Sequence, residues 1–166
     1  TKRLDTRSEA YKSIHAHVFS PDSPVEGKGL KLNTSLGADE SLVAIVRGRS
    51  DDRKPRQTVL HWSASASGER AIAPVTKVES IIVIGAGENP SLALDGKAVA
   101  LKVYEGAEAY EYRSEPKDEV FLADKKGTPV AGLDLVPDKG PVDGKIPGAF
   151  LAAVIGPDEN GTEIVE

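Results

Sequence analysis

Short runs in which apolar and polar residues alternate make up much of the chain. Residues 14–19, 30–33 and 58–67 each change character from one position to the next. Because successive side chains of a strand point to opposite faces, this period of two predicts half-buried β-strands. Residues 42–46 are apolar throughout, which predicts a strand covered on both faces. Residues 78–84 are apolar and rich in β-branched side chains, and they also predict a strand.

Turn-forming residues separate these runs. In the C-terminal part, four dipeptides stand out as turn signals: Asp95-Gly96, Lys126-Gly127, Asp143-Gly144 and Asn160-Gly161. Asp-Gly and Asn-Gly pairs readily adopt the positive φ angles that two-residue hairpin loops require. The clearest predicted hairpin joins a strand at 91–94 to a strand at 97–104.

Together these patterns predict an all-β fold. Residues 48–57 are polar and highly charged, and they predict a loop. Further short strands are predicted at 110–113, 119–123, 128–135, 150–155 and 162–165. About ten to twelve short strands with turns between them are typical of an antiparallel β-sandwich, a jelly roll or a small barrel. We expect residues 21–166 to form a single β-rich domain.

Residues 1–20 are predicted to form an arm followed by the first strand. Thr6 and Glu9 have the spacing of a capping box, in which two side chains bond to backbone N–H groups at the start of a helix. Tyr11 and Ile14 would then lie on one face of that helix. We therefore expect either a short N-terminal helix or an ordered arm.

Composition excludes several kinds of site. The 166 residues include no cysteine, so neither a disulfide framework nor a cysteine-based zinc or redox site can form. No apolar run approaches the roughly 18 residues of a membrane span. We expect a soluble protein without membrane insertion, and both a virion-associated and an extracellular location are compatible with this composition.

The formal net charge of -5 is spread unevenly along the chain. Residues 1–56 carry 11 basic and 8 acidic side chains, a balance of +3, whereas residues 57–166 carry 10 basic and 18 acidic side chains, a balance of -8. If the two segments lie apart, their opposite charges would guide head-to-tail contact between like subunits. If they interleave in the fold, the asymmetry vanishes.

Three histidines are weak candidates for metal ligands. His15 and His17 are two residues apart, which places both imidazoles on one face of a strand. His61 would supply a third nitrogen if its strand lay alongside. No carboxylate has a spacing that completes a ligand set, so we predict no metal site and expect exposed or core-edge histidines.

The densest basic cluster consists of Arg47, Arg49, Arg53, Lys54 and Arg56. Such a cluster can hold phosphates through charge and guanidinium forks. However, Asp51 and Asp52 lie within it, no aromatic residue is interleaved for base stacking, and the chain is acidic overall. We therefore treat the cluster as a candidate interface with another subunit and do not expect a nucleic-acid partner.

No catalytic or cofactor motif is complete. Residues 81–87 look like the strand and first two glycines of a dinucleotide-binding fingerprint, but Pro90 occupies the third glycine's place and a strand is predicted next. The acidic residues of 105–119 lack the spacing of a calcium loop. The serines of 63–67 lack the Gly-x-Ser-x-Gly elbow of a hydrolase. We predict no cofactor and no enzymatic activity.

These expectations favour a non-enzymatic structural protein. It would be a β-sandwich or jelly-roll subunit that assembles with copies of itself or docks onto a larger shell, as a virion coat, decoration or tail component does. The alternative is an extracellular β-sandwich module that binds a carbohydrate or another ligand on its loops. Aromatic platforms for sugars are few, because the chain has 1 Trp, 4 Tyr and 3 Phe.

Overall fold

The computed structural model describes residues 11–104 without interruption, together with Ala153 and five outlying strands. The described residues form strands and no helix. In chain order the strands are β1 (Lys2–Asp5), β2 (Tyr11–Ile14), β3 (Ala16–Phe19), β4 (Val25–Glu26), β5 (Lys31–Ser35), β6 (Ser41–Arg49), β7 (Pro55–Ser63), β8 (Arg70–Ala71), β9 (Lys77–Gly85), β10 (Ser91–Leu94), β11 (Lys97–Ala98), β12 (Lys102–Val103), β13 (Ala109–Tyr112), β14 (Leu133–Val136), β15 (Ile155–Pro157) and β16 (Glu163–Val165).

Two antiparallel sheets make up the compact unit Ile14–Ala109. In space, the four-stranded sheet has the order β11-β10-β5-β8. The six-stranded sheet has the order β12-β3-β9-β6-β7, with β4 also pairing with β9. The predicted all-β class with antiparallel sheets is therefore confirmed.

The second compact unit consists of Thr1–Ser13 and Tyr110–Glu166. Its described strands include the parallel pair β1–β14 and the antiparallel pair β15–β16. The predicted division at residue 20, into an arm and a single β-rich domain, stays a prediction.

One hydrophobic core is shared by the two larger sheets. The four-stranded sheet contributes Leu32, Leu92 and Leu94 to it. The six-stranded sheet contributes Leu42, Ala44, Val46, Trp62, Val78, Ile81 and Val83. Alternate residues of β5 and β6 are buried, as the period of two requires. Burial of this apolar surface is the main favourable contribution to folding.

Part of the face of the six-stranded sheet opposite this core is also apolar. Val18, Ile82, Ile45 and Val59 are paired in one row across β3, β9, β6 and β7. Ile45 is only 1% exposed, although it does not belong to the shared core. The prediction that residues 42–46 are covered on both faces is confirmed only in part, because Ile45 is buried on this second face whereas Val43, on the same face, is half-buried.

Trp62 is the anchor of the core. Its side chain is fully buried, and its indole N–H donates a hydrogen bond to the carbonyl oxygen of Gly68, with a distance of 2.6 Å. The guanidinium carbon of Arg70 lies 5.6 Å from the ring centroid, in the geometry of a cation–π contact. The tryptophan therefore ties β7 to the segment that leads into β8.

The hairpin at Asp95-Gly96 is confirmed. Both residues have positive φ angles, 49° and 75°, and β10 pairs with β11 directly across the turn. The prediction of one continuous strand over 97–104 is wrong, since β11 belongs to the four-stranded sheet and β12 to the six-stranded sheet. Val99 and Leu101 lie in the segment between β11 and β12. Both side chains pack against the core, and this packing breaks the strand.

The predicted loop over 48–57 is too long. β6 extends to Arg49 and β7 begins at Pro55, which is the residue paired with Arg49. Backbone pairing does not depend on the polarity of the side chains, so the hairpin continues beyond the apolar run. Only residues 50–54 form the turn.

At the N-terminus, the helix prediction is wrong for Tyr11 and Ile14, because both belong to strand β2. That strand pairs with β13, and the pairing outweighs the local signal for a helix. Several predicted features lie outside the described residues: the capping box Thr6–Glu9, the strand at 119–123, and the turns at 126–127, 143–144 and 160–161. Among the residues that are described, no helix is long and apolar enough to cross a membrane.

We predict that Trp62→Ala lowers the free energy of unfolding by about 3–5 kcal/mol, because it opens a cavity in the core and removes the bond to Gly68. Chemical denaturation of wild type and variant measures the difference. As a control, Val103→Ala should change stability by about 0.5 kcal/mol or less, because Val103 is 67% exposed. Equal losses in the two variants would contradict the assignment of Trp62 as the anchor.

Candidate functional site

A surface cavity of about 410 Å³ lies at the start of β3. We call it the histidine cavity, and its lining includes His15, His17, Glu88, Asn89, Val103 and Tyr104. These residues come from three parts of the chain, namely the start of β3, the loop after β9, and the end of β12. The pairing of β3 with both β9 and β12 brings the three parts together.

Backbone hydrogen bonds hold the three parts in place. The N–H of Gly85 donates to the carbonyl of His15 over 2.9 Å, and the N–H of Tyr104 donates to the carbonyl of Ala16 over 3.0 Å. The loop after β9 is also fixed from the other side, because the N–H of Ala86 donates to Ser41 over 2.8 Å. The cavity is therefore part of the sheet framework.

The loop after β9 has an unusual backbone. Gly85, Ala86 and Gly87 all have positive φ angles, of 96°, 56° and 69°. A side chain at Gly85 would also collide with the carbonyl oxygen of Ser41, 2.4 Å from an added Cβ. Positive φ at a non-glycine residue such as Ala86 is uncommon and is found more often at functional sites. These glycines, which look like a nucleotide fingerprint in the sequence, serve to turn the chain toward Glu88 and on into β10.

His17 links this loop to β3. Its side chain is buried, and Nε2 donates a hydrogen bond to the carbonyl oxygen of Glu88 over 3.0 Å. Because a carbonyl can only accept, Nε2 carries the proton and Nδ1 of the neutral ring is an acceptor. This Nδ1 is buried and has no hydrogen-bond partner among the described residues. Such an orphaned acceptor is costly in a protein interior.

The three candidate metal ligands are not brought together. The His15 and His17 rings both line the cavity, with centroids 6.5 Å apart. His61 lies on β7, three strands away from β3 in the order β3-β9-β6-β7, a separation of about 14 Å. In the part of the chain that is described, no group of three or more His, Cys, Asp or Glu side chains could hold a metal ion.

Sequence analysis did not identify four residues that lie next to the histidines: Glu88, Asn89, Val103 and Tyr104. They lie more than 70 positions from His15 along the chain, and only strand pairing brings them close. The one local signal was the run Gly85-Ala86-Gly87, which marks a special turn without indicating its neighbours.

The basic cluster at the β6–β7 turn is largely neutralised within the chain. Asp52 forms ion pairs with Lys54 at 3.4 Å and with Arg56 at 3.5 Å. Arg49 pairs with Glu79 at 2.8 Å. The remaining two members differ: Arg47 donates to the side chain of Gln57, whereas Arg53 forms no ion pair among the described residues. The cluster therefore offers few unpaired cations to a phosphate backbone.

A larger polar groove of about 890 Å³ lies beside this turn. Its charges also pair with one another, as Lys77 does with Glu26 at 2.6 Å and Lys28 with Asp51 at 3.9 Å. Ion pairs such as Lys31–Glu69 and Arg49–Glu79 join the basic first segment to the acidic second segment. Within the unit Ile14–Ala109 the two segments thus interleave, and the charge asymmetry of the sequence is compensated locally.

We predict that the Asp52 carboxyl titrates below its ordinary pKa, because the Ser50 hydroxyl and the Lys54 backbone N–H donate to the carboxylate. A lowered pKa in the folded state stabilises the fold above the pKa of the unfolded chain, and this contribution is lost as the pH falls through the folded pKa. Carboxyl carbon NMR titration measures the midpoint, and Ser50→Ala should raise it. A midpoint at or above that of an unfolded aspartate, about 3.9, would contradict the prediction.

Comparison of the chain with protein-family models, with curated proteins and with solved structures returned no significant match.

Proposed function

We propose that this protein is a non-enzymatic structural protein, a β-sandwich subunit that assembles with copies of itself through the outer edge of β7. A virion coat, decoration or tail component is the corresponding role, in which the subunit builds or covers a larger shell. The two sheets that share one core support the sandwich architecture.

The edges of the two larger sheets differ sharply in length and charge. Three of the four edge strands, β8, β11 and β12, are only two residues long, and each contains one basic residue: Arg70, Lys97 or Lys102. The fourth, β7, is nine residues long, and its part from Thr58 to Ser63 contains no Asp, Glu, Lys or Arg. This contrast is the observation that carries the proposal.

Short length and basic residues are two of the means by which proteins prevent edge strands from pairing with other chains. β7 has neither over most of its length. Among the described strands it pairs only with β6, and at its end Ser63 forms an isolated bridge with Ala66. Before that end, its outer edge presents backbone N–H and C=O groups that a further strand can bond. Addition of a strand to such an edge is a common mode of protein association.

A second copy of β7 satisfies this edge best in the antiparallel direction. Pairing across a twofold axis lets each copy give and receive the same hydrogen bonds, which closes the interface. It also keeps the basic ends apart, because Arg56 of one copy lies beside the uncharged end near Ser63 of the other. The basic cluster, which is predicted to contact another subunit, would then lie at the ends of this interface.

We predict that wild-type protein self-associates with rising concentration and that Val59→Lys weakens this association at least about tenfold, because a lysine on the edge strand opposes pairing. Val103→Lys is the matched control, since it makes the same substitution on the opposite edge of the same sheet. Analytical ultracentrifugation over a wide concentration range measures association, and thermal melting verifies that both variants fold.

A wild-type protein that stays monomeric at the highest concentration would contradict self-assembly through β7. Equal weakening by Val59→Lys and Val103→Lys would place the contact elsewhere. If the protein is instead an extracellular ligand-binding module, then wild type, Val59→Lys and Val103→Lys should all be monomers.

A further inference from the structure

The histidine cavity combines exposed apolar surface with unpaired polar groups. Tyr104 is 43% exposed and Val103 is 67% exposed, which is unusual for large hydrophobic side chains of the described residues. The Glu88 carboxylate and the Asn89 amide are exposed and form no hydrogen bond or ion pair with the rest of the described chain. Such a combination of groups is suited to binding a ligand.

The cavity is preorganised in spite of its exposure. The hydrogen bond from buried His17 to the Glu88 carbonyl holds the loop that presents Glu88 and Asn89. The bond between Tyr104 N–H and the Ala16 carbonyl holds the aromatic residue next to β3. A site whose groups are already in place loses less entropy when it binds a ligand. His17 itself also lines the cavity, and its Nδ1 is buried without a hydrogen-bond partner among the described residues.

The lining defines the class of ligand. No lysine or arginine lines the cavity, and Glu88 is its one charged side chain, so nothing offsets the charge of a phosphate, sulfate or carboxylate. One tyrosine is too few for the aromatic cage that recognises quaternary ammonium groups. The volume of about 410 Å³ lies within the range of small-molecule sites.

We propose that the histidine cavity is a binding site for a neutral saccharide, which packs one ring face on Tyr104 and hydrogen-bonds to Glu88 and Asn89. The carboxylate accepts hydrogen bonds from sugar hydroxyls, the amide both donates and accepts, and exposed His15 can do either. The aliphatic C–H face of a sugar suits the electron-rich face of a tyrosine ring. This activity is additional to assembly, because the cavity lies at the β3–β12 side of the sheet and β7 at the other.

The test is an NMR titration of the ¹⁵N-labelled full chain with three neutral probes: methyl β-glucoside, methyl β-galactoside and methyl α-mannoside. We expect at least one of them to bind in the millimolar range, and to shift the amide signals of His17, Asn89 and Tyr104 more than those of β5 and β10. Glucose 6-phosphate and choline are titrated in parallel as the anionic and cationic alternatives.

Substitutions then test the assigned contacts. Tyr104→Ala should weaken binding about tenfold, whereas Tyr104→Phe, which keeps the ring, should retain most of the affinity. Asn89→Ala should also weaken binding severalfold. Its matched control is Asn33→Ala, because Asn33 is an exposed asparagine on the four-stranded sheet, and this change should leave the affinity unaltered.

Three results would overturn the proposal. The first is that none of the three glycosides binds, and the second is that choline or glucose 6-phosphate binds more tightly than every glycoside. The third is that the glycoside-induced shifts lie away from the cavity or persist unchanged in Tyr104→Ala. None of these results bears on assembly, which the mass of the same samples reports separately.

Discussion

The antiparallel pairing of β6 with β9 is the constraint on which the rest of the unit Ile14–Ala109 depends. These two strands form the middle of the six-stranded sheet, and their inward residues make up much of the shared core. The pairing shifts register at Gly48, where an added Cβ would lie 1.9 Å from the carbonyl oxygen of Lys77. Only glycine permits that approach, so the observed register of the two strands requires a glycine at this position.

Both proposed surfaces follow from that register. On one side of the pair, β9 places its terminal loop next to His15 and His17 and so completes the histidine cavity. On the other side, β6 carries β7 at the edge of the sheet. A shift of one residue between β6 and β9 would turn one strand and the strand paired with it to the opposite face. It would therefore remove either Trp62, on β7, from the core or His17, on β3, from the cavity. The pairing that stabilises the fold therefore also determines the geometry of the histidine cavity and of the β7 edge.

The sequence predicted those features that depend on local pattern and on turn chemistry. The alternation around Trp62, the apolar run in β6 and the Asp95-Gly96 turn all act through neighbouring residues, and the structure confirms each of them. The break between β11 and β12 could not be predicted, because it depends on Val99 and Leu101 reaching a core built by distant strands. Tyr11 illustrates the same limit, since a pairing partner about 100 positions away outweighs its local helix signal.

The proposed assembly requires that the β7 edge be open in the monomer and closed in the oligomer. Hydrogen exchange of the backbone amides, measured at low and at high protein concentration, tests this requirement most directly. Assembly through β7 predicts that protection of residues 55–63 rises with concentration, while β6 and β9 are well protected at every concentration. Protection of residues 55–63 that is the same at both concentrations would contradict it.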